Sequence, residues 1–273
     1  MSQAEIGADN VVLIGLCSDE NSSFMRGPAD APAAIRKSLH NGASSLCSEC
    51  GTDLADNPRF VDCGDIVVKP GARAFLAIEQ PIRRILSAGG RPLVLGGDHA
   101  VTYPVMRAIA ERYGPVNILH FDAHPDLYDE FDGNRLSHAS PFARIMEEGL
   151  ATRLVLVGIR AQNAHLRRQI ERFGVEVFEI ADFDADRFDP KLIGPLYISF
   201  DLDALDPAFA PGVSHHEPGG LTVRQALTIL QKQQGDVLGA DIVEYNPNRD
   251  INDMTGAVAA KLLKEIAALM LRN

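Results

Sequence analysis

Residues 118–126 read Ile118-Leu119-His120-Phe121-Asp122-Ala123-His124-Pro125-Asp126. An apolar run from Val116 to Phe121 stops at once in a carboxylate, an imidazole and a second carboxylate. Side chains of an extended segment alternate between its two sides, so Asp122, His124 and Asp126 can converge on one of them. Such a cluster at the mouth of a buried strand is costly unless cations occupy it. Taken alone, the stretch reads equally well as a polar strand end beside solvent.

Two further strands end in the same way. Leu196–Phe200 runs into Asp201-Leu202-Asp203-Ala204-Leu205-Asp206-Pro207, and Pro92–Leu95 into Gly96-Gly97-Asp98-His99. Three separate strands thus deliver Asp and His at their C-terminal ends, where open α/β sheets place their ligands. His99, Asp122, His124, Asp126, Asp201 and Asp203 are the candidate metal ligands. Two imidazoles and four carboxylates are too many for one ion but suit two, some carboxylates bridging. An oxygen-rich set with a minority of imidazole favours Mn2+, with Ni, Co and Zn left open. Two such ions ~3.5–4 Å apart share a water and present hydroxide to an electrophilic carbon near neutral pH. Asp206, before Pro207, reads as a turn-shaping or supporting carboxylate outside this set.

Outward from these stretches the chain alternates strands and helices. Strands are expected over Val11–Cys17, Phe60–Cys63, Pro92–Leu95, Val116–Phe121, Leu154–Val157, Val175–Phe178, Leu196–Phe200 and Val237–Val243. Helices are expected to His40 behind an Asp30 cap, and over Ala72–Ala88 with a bend or restart at Pro81. Others follow over Val101–Tyr113, Ser140–Glu148, Asn163–Phe173, Thr222–Gln233 (capped by Thr222) and Met254–Leu271. Residues 41–58, rich in Gly, Ser, Cys and Asp, read as a surface excursion. The alternation predicts an α/β fold of three layers, α/β/α, around a parallel sheet, as one domain over 1–273.

Bulk properties narrow the function classes. The chain of 273 residues is 46% hydrophobic and 23% charged, with a net charge of −11, and so reads as an ordinary globular chain. With that charge and no basic run, nucleic acid and anionic membranes are poor partners. No stretch approaches the ~20 apolar residues that span a bilayer. Met1–Asn10 lacks the features of a signal peptide, so a cytoplasmic location is expected. Cys47 and Cys50 have the spacing of half a zinc site, but no second pair follows, and free thiols are the better reading.

Gly97-Asp98-His99, Asp122-Ala123-His124-Pro125-Asp126 and Ser199-Phe200-Asp201-Leu202-Asp203-Ala204-Leu205-Asp206-Pro207 resemble, in order and spacing, the three signatures of the ureohydrolases, the family of arginase and agmatinase. The likeness runs from about Val11 to the C-terminus. It takes in Ser137-His138-Ala139-Ser140-Pro141-Phe142, Val157-Gly158-Ile159-Arg160, Glu217-Pro218-Gly219-Gly220-Leu221 and Asp241-Ile242-Val243-Glu244-Tyr245-Asn246-Pro247. The wording of 120–145 and 206–221 is similar to the plant-type arginase branch. The resemblance implies an arginase-like fold, two Mn2+ per chain and self-association as a homotrimer or homohexamer. It also implies that Asp126 binds metal and handles a proton, that His138 shuttles protons, and that Glu244 holds the guanidinium.

These roles have independent physical sense. A permanently charged guanidinium needs a paired carboxylate to orient it, and Glu244 follows a strand that can supply one. Metal-bridging hydroxide attacks the guanidino carbon, and the intermediate collapses once Asp126 and His138 bring a proton to the departing amine. L-arginine giving urea and L-ornithine is the expected reaction, with agmatine or another guanidino compound as the alternative. A deacetylase-like single-zinc amidohydrolase is disfavoured by the six-ligand set and Glu244, and a non-catalytic relative because no ligand is missing. The bland readings are a helix cap for His138 and a surface carboxylate for Glu244.

The far end of the substrate is read less directly. The acidic loop Asp129-Glu130-Phe131-Asp132-Gly133-Asn134 is expected at the mouth and suits a distal ammonium. Asn134, Ser137 and an inward Arg160 are candidates to hold an α-carboxylate. Two departures bear on substrate identity. No Asp follows Arg160, where Ala161-Gln162-Asn163 stand, and Val213-Ser214-His215-His216 replaces a Thr-Gly-Thr-Pro.

Overall fold

Strands that read as unbroken apolar runs need a packed layer on each face. The computed structural model, which describes residues 6–272, supplies both. Eight strands lie in one parallel sheet: β1 (Val11–Cys17), β2 (Phe60–Val67), β3 (Arg91–Leu95), β4 (Val116–Phe121), β5 (Ala151–Ile159), β6 (Glu176–Glu179), β7 (Pro195–Asp201) and β8 (Asp236–Val243). Their order is β2-β1-β3-β8-β7-β4-β5-β6. The helices are α1 (Ala31–His40), α2 (Ala74–Ser87), α3 (Thr102–Tyr113), α4 (Pro141–Glu147), α5 (Ala164–Phe173), α6 (Val223–Gln231) and α7 (Met254–Leu271).

Alternation along each strand divides the core in two. Leu13, Leu93, Leu119 and Ile198 pack with Ile35 of α1, Leu227 of α6 and Leu263 and Ile266 of α7. Val12, Ile14, Val94 and Ile118 face the other way, toward Ile78 and Ile82 of α2, Val105 and Ile109 of α3, and Phe142 of α4. Most of these side chains are wholly buried, and burying one such aliphatic contributes roughly 1.5–3 kcal/mol. The result is the three-layer α/β/α arrangement. Its topology sets β3, β8, β7 and β4 side by side, so the four chemistry-bearing strand ends open together.

Two local expectations are corrected. Pro81 does not restart a helix, because α2 runs continuously through it. Burial of Ile78, Ile82 and Ile85 at 0–1% exposure outweighs the missing backbone bond, a loss on the order of 3 kcal/mol. Asp30 stands before α1 but caps nothing, since a 3-10 turn over Pro28–Asp30 leads into the helix. Residues 41–58 form the expected surface excursion, mostly exposed but anchored at several points. Leu54 is buried there, Glu49 pairs with Arg224 and Lys261, and the Ser44–Ser45 turn receives Lys264 of α7. Cys47 and Cys50 are free thiols, Cys50 within hydrogen-bond reach of Ser48 and Thr52. Thr222 does cap α6, forming a reciprocal box with Gln225.

The loop after β1 crosses the top of β3 at Gly97. A Cβ there would fall inside the van der Waals radius of the Ser18 carbonyl oxygen, which already accepts the Asp98 amide at 2.9 Å. Gly97→Ala is therefore expected to cost about 1–3 kcal/mol by overpacking, seen as a lower urea midpoint. An unchanged midpoint would show that the loop yields freely.

Candidate metal centre

Asp122, His124 and Asp126 leave β4 as its regular pairing ends. The chain is held by Asp122 N donating to Val157 O at 3.1 Å and Phe142 N to Asp126 O at 3.2 Å. Asp122 Oδ1 accepts the His124 amide at 2.6 Å, Asp201 Oδ1 the Asp203 amide at 2.8 Å, and Asp203 Oδ1 the Ala123 amide at 3.1 Å. Asp126 and Glu244 both sit in the left-handed region, at φ 49° and 64°. For non-glycine residues that conformation costs on the order of 1–3 kcal/mol, and it turns each carboxylate back toward the sheet axis.

The six expected ligands come together. His99 Nδ1 lies 3.3, 3.1 and 3.2 Å from Oδ2 of Asp122, Asp126 and Asp201. His124 Nδ1 lies 3.4 Å from Asp122 Oδ1 and 3.1 Å from Asp203 Oδ2. Asp122 is shared between the two groups. Burial and then its neighbours Asp203 and Asp122 push the Asp201 carboxyl well above its ordinary value. Burial and the Asp122 charge raise Asp203 likewise. Burial opposes the charged form of His99, yet the surrounding carboxylates carry its pKa well above the ordinary value. So many acids in a desolvated space call for positive charge.

The protonation of His99 can be derived. Asp241 is fully buried; it takes the Ser199 hydroxyl on Oδ1 at 2.7 Å, and the Thr102 and Tyr197 hydroxyls on Oδ2, each at 2.7 Å. With its only proton given to Asp241, Ser199 must accept from His99 Nε2 at 2.9 Å. With Nε2–H fixed, His99 Nδ1 is the nitrogen left to take a proton from the surrounding acids or to offer its lone pair to a cation; it is buried, without a hydrogen-bond partner and aimed into the carboxylates. That orphaned donor atom fits a divalent cation bound by oxygen and imidazole.

His120, not anticipated as a participant, places Nε2 2.8 Å from Asp122 Oδ2 and stacks on Phe142 at 3.9 Å. It stands two residues before Asp122 on the same side of β4, so alternation alone could have found it.

Over this centre lies a cavity of about 340 Å³, lined by His124, Asp126, Asp201, Asp203, His138 and Glu244 together with Ser23, Tyr128, Phe131, Gln162, His215 and Glu217, among others. His138 Nδ1 lies 2.8 Å from Glu244 Oε1. Burial opposes protonation of His138, but the Glu244 charge brings its pKa up to about 9. His215 presents a buried Nε2 without a hydrogen-bond partner, and burial followed by the His138 charge depresses its pKa. His215 appeared in the sequence only as a departure from a motif, and Ser23 gave no signal at all.

Other expected site residues are placed elsewhere. Asn134 donates to Asn21 Oδ1 and accepts from Leu136 N, and Ser137 accepts from Ala139 N; neither lines the cavity. Arg160 points into the protein, donating to the carbonyls of Gly158, Asp203, Ala204, Leu205 and Glu217. Asp129 pairs with His165 at 2.9 Å, and of residues 129–134 only Phe131 lines the cavity. The mouth is aromatic there, with Tyr128 beside Phe131. Asp206 does shape its turn, receiving the amides of Ala208, Gly219 and Gly220.

A family model described as "Arginase family" matches residues 9–269. The chain is 49% identical to Arginase 1, mitochondrial, from Arabidopsis thaliana, over 94% of this chain and 80% of that protein. It is 48% identical to Arginase 2, chloroplastic/mitochondrial, from the same organism, with the same coverage. The solved structure of arginase from Medicago truncatula superposes with a TM-score of 0.91 at 45% identity, covering 98% of this chain and 89% of that one. The expectation of a cytoplasmic location is overturned by these names, since the Arabidopsis relatives are mitochondrial or chloroplastic enzymes.

If the cluster holds cations, protein stripped with a chelator should regain stability when Mn2+ is added. The gain is about 2.7 kcal/mol for one site at a hundredfold excess over Kd, read as a rise in Tm. Asp203→Asn should weaken that response, and a Tm indifferent to the metal would refute the assignment.

Proposed function

The chain belongs to the arginase family, and from that premise we propose that it is a manganese-dependent hydrolase cleaving the guanidino group of L-arginine to urea and L-ornithine. The observation that carries this reading is the convergence of His99, Asp122, His124, Asp126, Asp201 and Asp203 beneath a cavity that also exposes Glu244 and His138. The two groupings, one around each histidine with Asp122 between them, favour two Mn2+ per chain. Bound there, such ions would supply Lewis acidity and a water of lowered pKa.

The protein's own groups do the rest. Glu244, held on the ionised side by its pairing with His138, receives the guanidinium and fixes its plane. Its Oε1 is kept in place by the His99 amide at 2.8 Å, so it does not swing toward the centre. His138, charged at neutral pH, carries the proton needed by the departing amine, with Asp126 as its partner in proton handling. Tyr128, Phe131 and Leu166 wall the outer cavity and keep water from the aliphatic stem. Agmatine is the second reading, favoured by the same outer wall: beyond Glu217, which lies 3.7 Å from His124, the described residues lining the outer cavity are uncharged. We take the chain as one ureohydrolase domain that assembles as a homotrimer or homohexamer.

Urea release by Mn2+-loaded protein is expected from arginine, measured against agmatine, guanidinobutyrate and free guanidine. Glu244→Gln should lower kcat/KM by roughly 10²–10³-fold, the cost of unpairing a buried charge. Turnover of agmatine alone would move the reading to the second substrate, and no urea from any of the four would sink it.

A further inference from the structure

Resting on the proton role proposed for His138, we infer that Ser23 is a positioning residue for that imidazole, supplied from outside the sheet by the loop after β1. The ring's two nitrogens have different partners. Nδ1 faces Glu244 Oε1 at 2.8 Å, and Nε2 faces Ser23 Oγ at 2.8 Å. A carboxylate only accepts, so Nδ1 keeps its hydrogen in both charge states of the ring. The proton that comes and goes is therefore the one on Nε2, the atom that Ser23 touches.

A hydroxyl suits that place because it works both ways. It accepts from Nε2–H when the ring is charged and donates to the bare nitrogen when the ring is neutral. One contact thus holds the imidazole before and after the transfer. With Nδ1 alone anchored, the ring could swing about that bond and carry Nε2 away from the cavity. Ser23 lines the cavity, so the held face is the one that substrate meets.

The loop is fixed without help from Ser23. Asn21 N donates to Asp98 Oδ2 at 2.8 Å, and His138 N donates to Asn21 O at 3.1 Å. Gly27 N donates to Asp19 Oδ2 at 2.7 Å, and Asn246 Nδ2 to Arg26 O at 3.2 Å. Phe24 then packs on His215, whose ring lies 5.5 Å from His138. Removal of one exposed hydroxyl should leave this framework standing.

The test compares Ser23→Ala and Ser23→Thr in the metal-loaded protein. Ser23→Ala should lower kcat for urea release roughly tenfold, about the worth of one hydrogen bond, with KM within about twofold. Ser23→Thr should restore most of the loss. In a His138→Asn background, Ser23→Ala should cost nothing more, which a merely structural role would not produce. An unchanged kcat, a loss confined to KM, or an equal loss in that background would overturn the inference. The 15N resonance of His138 Nε2 is read without turnover and should move in Ser23→Ala while Nδ1 stays. If the parent protein releases no urea, the proposed function fails on its own, and an unmoved Nε2 resonance would separately sink the role of Ser23.

Discussion

Mutual repulsion among Asp122, Asp126, Asp201 and Asp203 is the constraint that the rest of the molecule serves. Carboxylates this close and this buried would separate, or take up protons, unless the backbone forbade it and positive charge repaid it. The backbone forbids it through β4 and β7, adjacent strands whose core side chains are almost wholly shielded from water. The amides of Ala123, His124 and Asp203 then fix one oxygen each of Asp203, Asp122 and Asp201, so these three acids keep their directions. His99 and His124 complete the set from opposite sides, with Asp122 common to both.

Around this centre a layer of groups holds the ligands without belonging to them. Asp241, taking three hydroxyls, sets the tautomer of His99 through Ser199. Arg160 gathers the carbonyls after Asp203 and ties them to the end of β5, stiffening the turn that carries two of the acids. The left-handed backbones of Asp126 and Glu244 are the strained points, and they coincide with two groups given proton- or substrate-handling roles. Strain of that kind persists only where surrounding structure over-determines it. Here Phe142 N holds the Asp126 carbonyl, and the Gly97 carbonyl, beneath the loop of residues 18–27, holds the Glu244 amide.

Much of this was legible along the chain. Unbroken apolar runs ending in Asp or His gave the parallel sheet and the six converging side chains, because strand periodicity and strand-end placement are local rules. Glu244 and His138 came from motif resemblance, and they do meet in the cavity. The readings that failed depended on direction. The side chains of Arg160, Asn134 and Asp129 turn away from the cavity to carbonyls, to Asn21 and to His165. Pro81 failed for a related reason, since long-range packing overrode a local preference.

The sequence by itself determined the fold class and which acids and imidazoles stand at the strand ends, for periodicity and the identity of strand-end residues are written residue by residue. Only the tertiary structure decided that Ser23 reaches His138 across 115 positions, that His215 faces the cavity, and that the mouth is aromatic. Contacts between loops depend on which strands become neighbours, and that is fixed by the packing of the whole sheet.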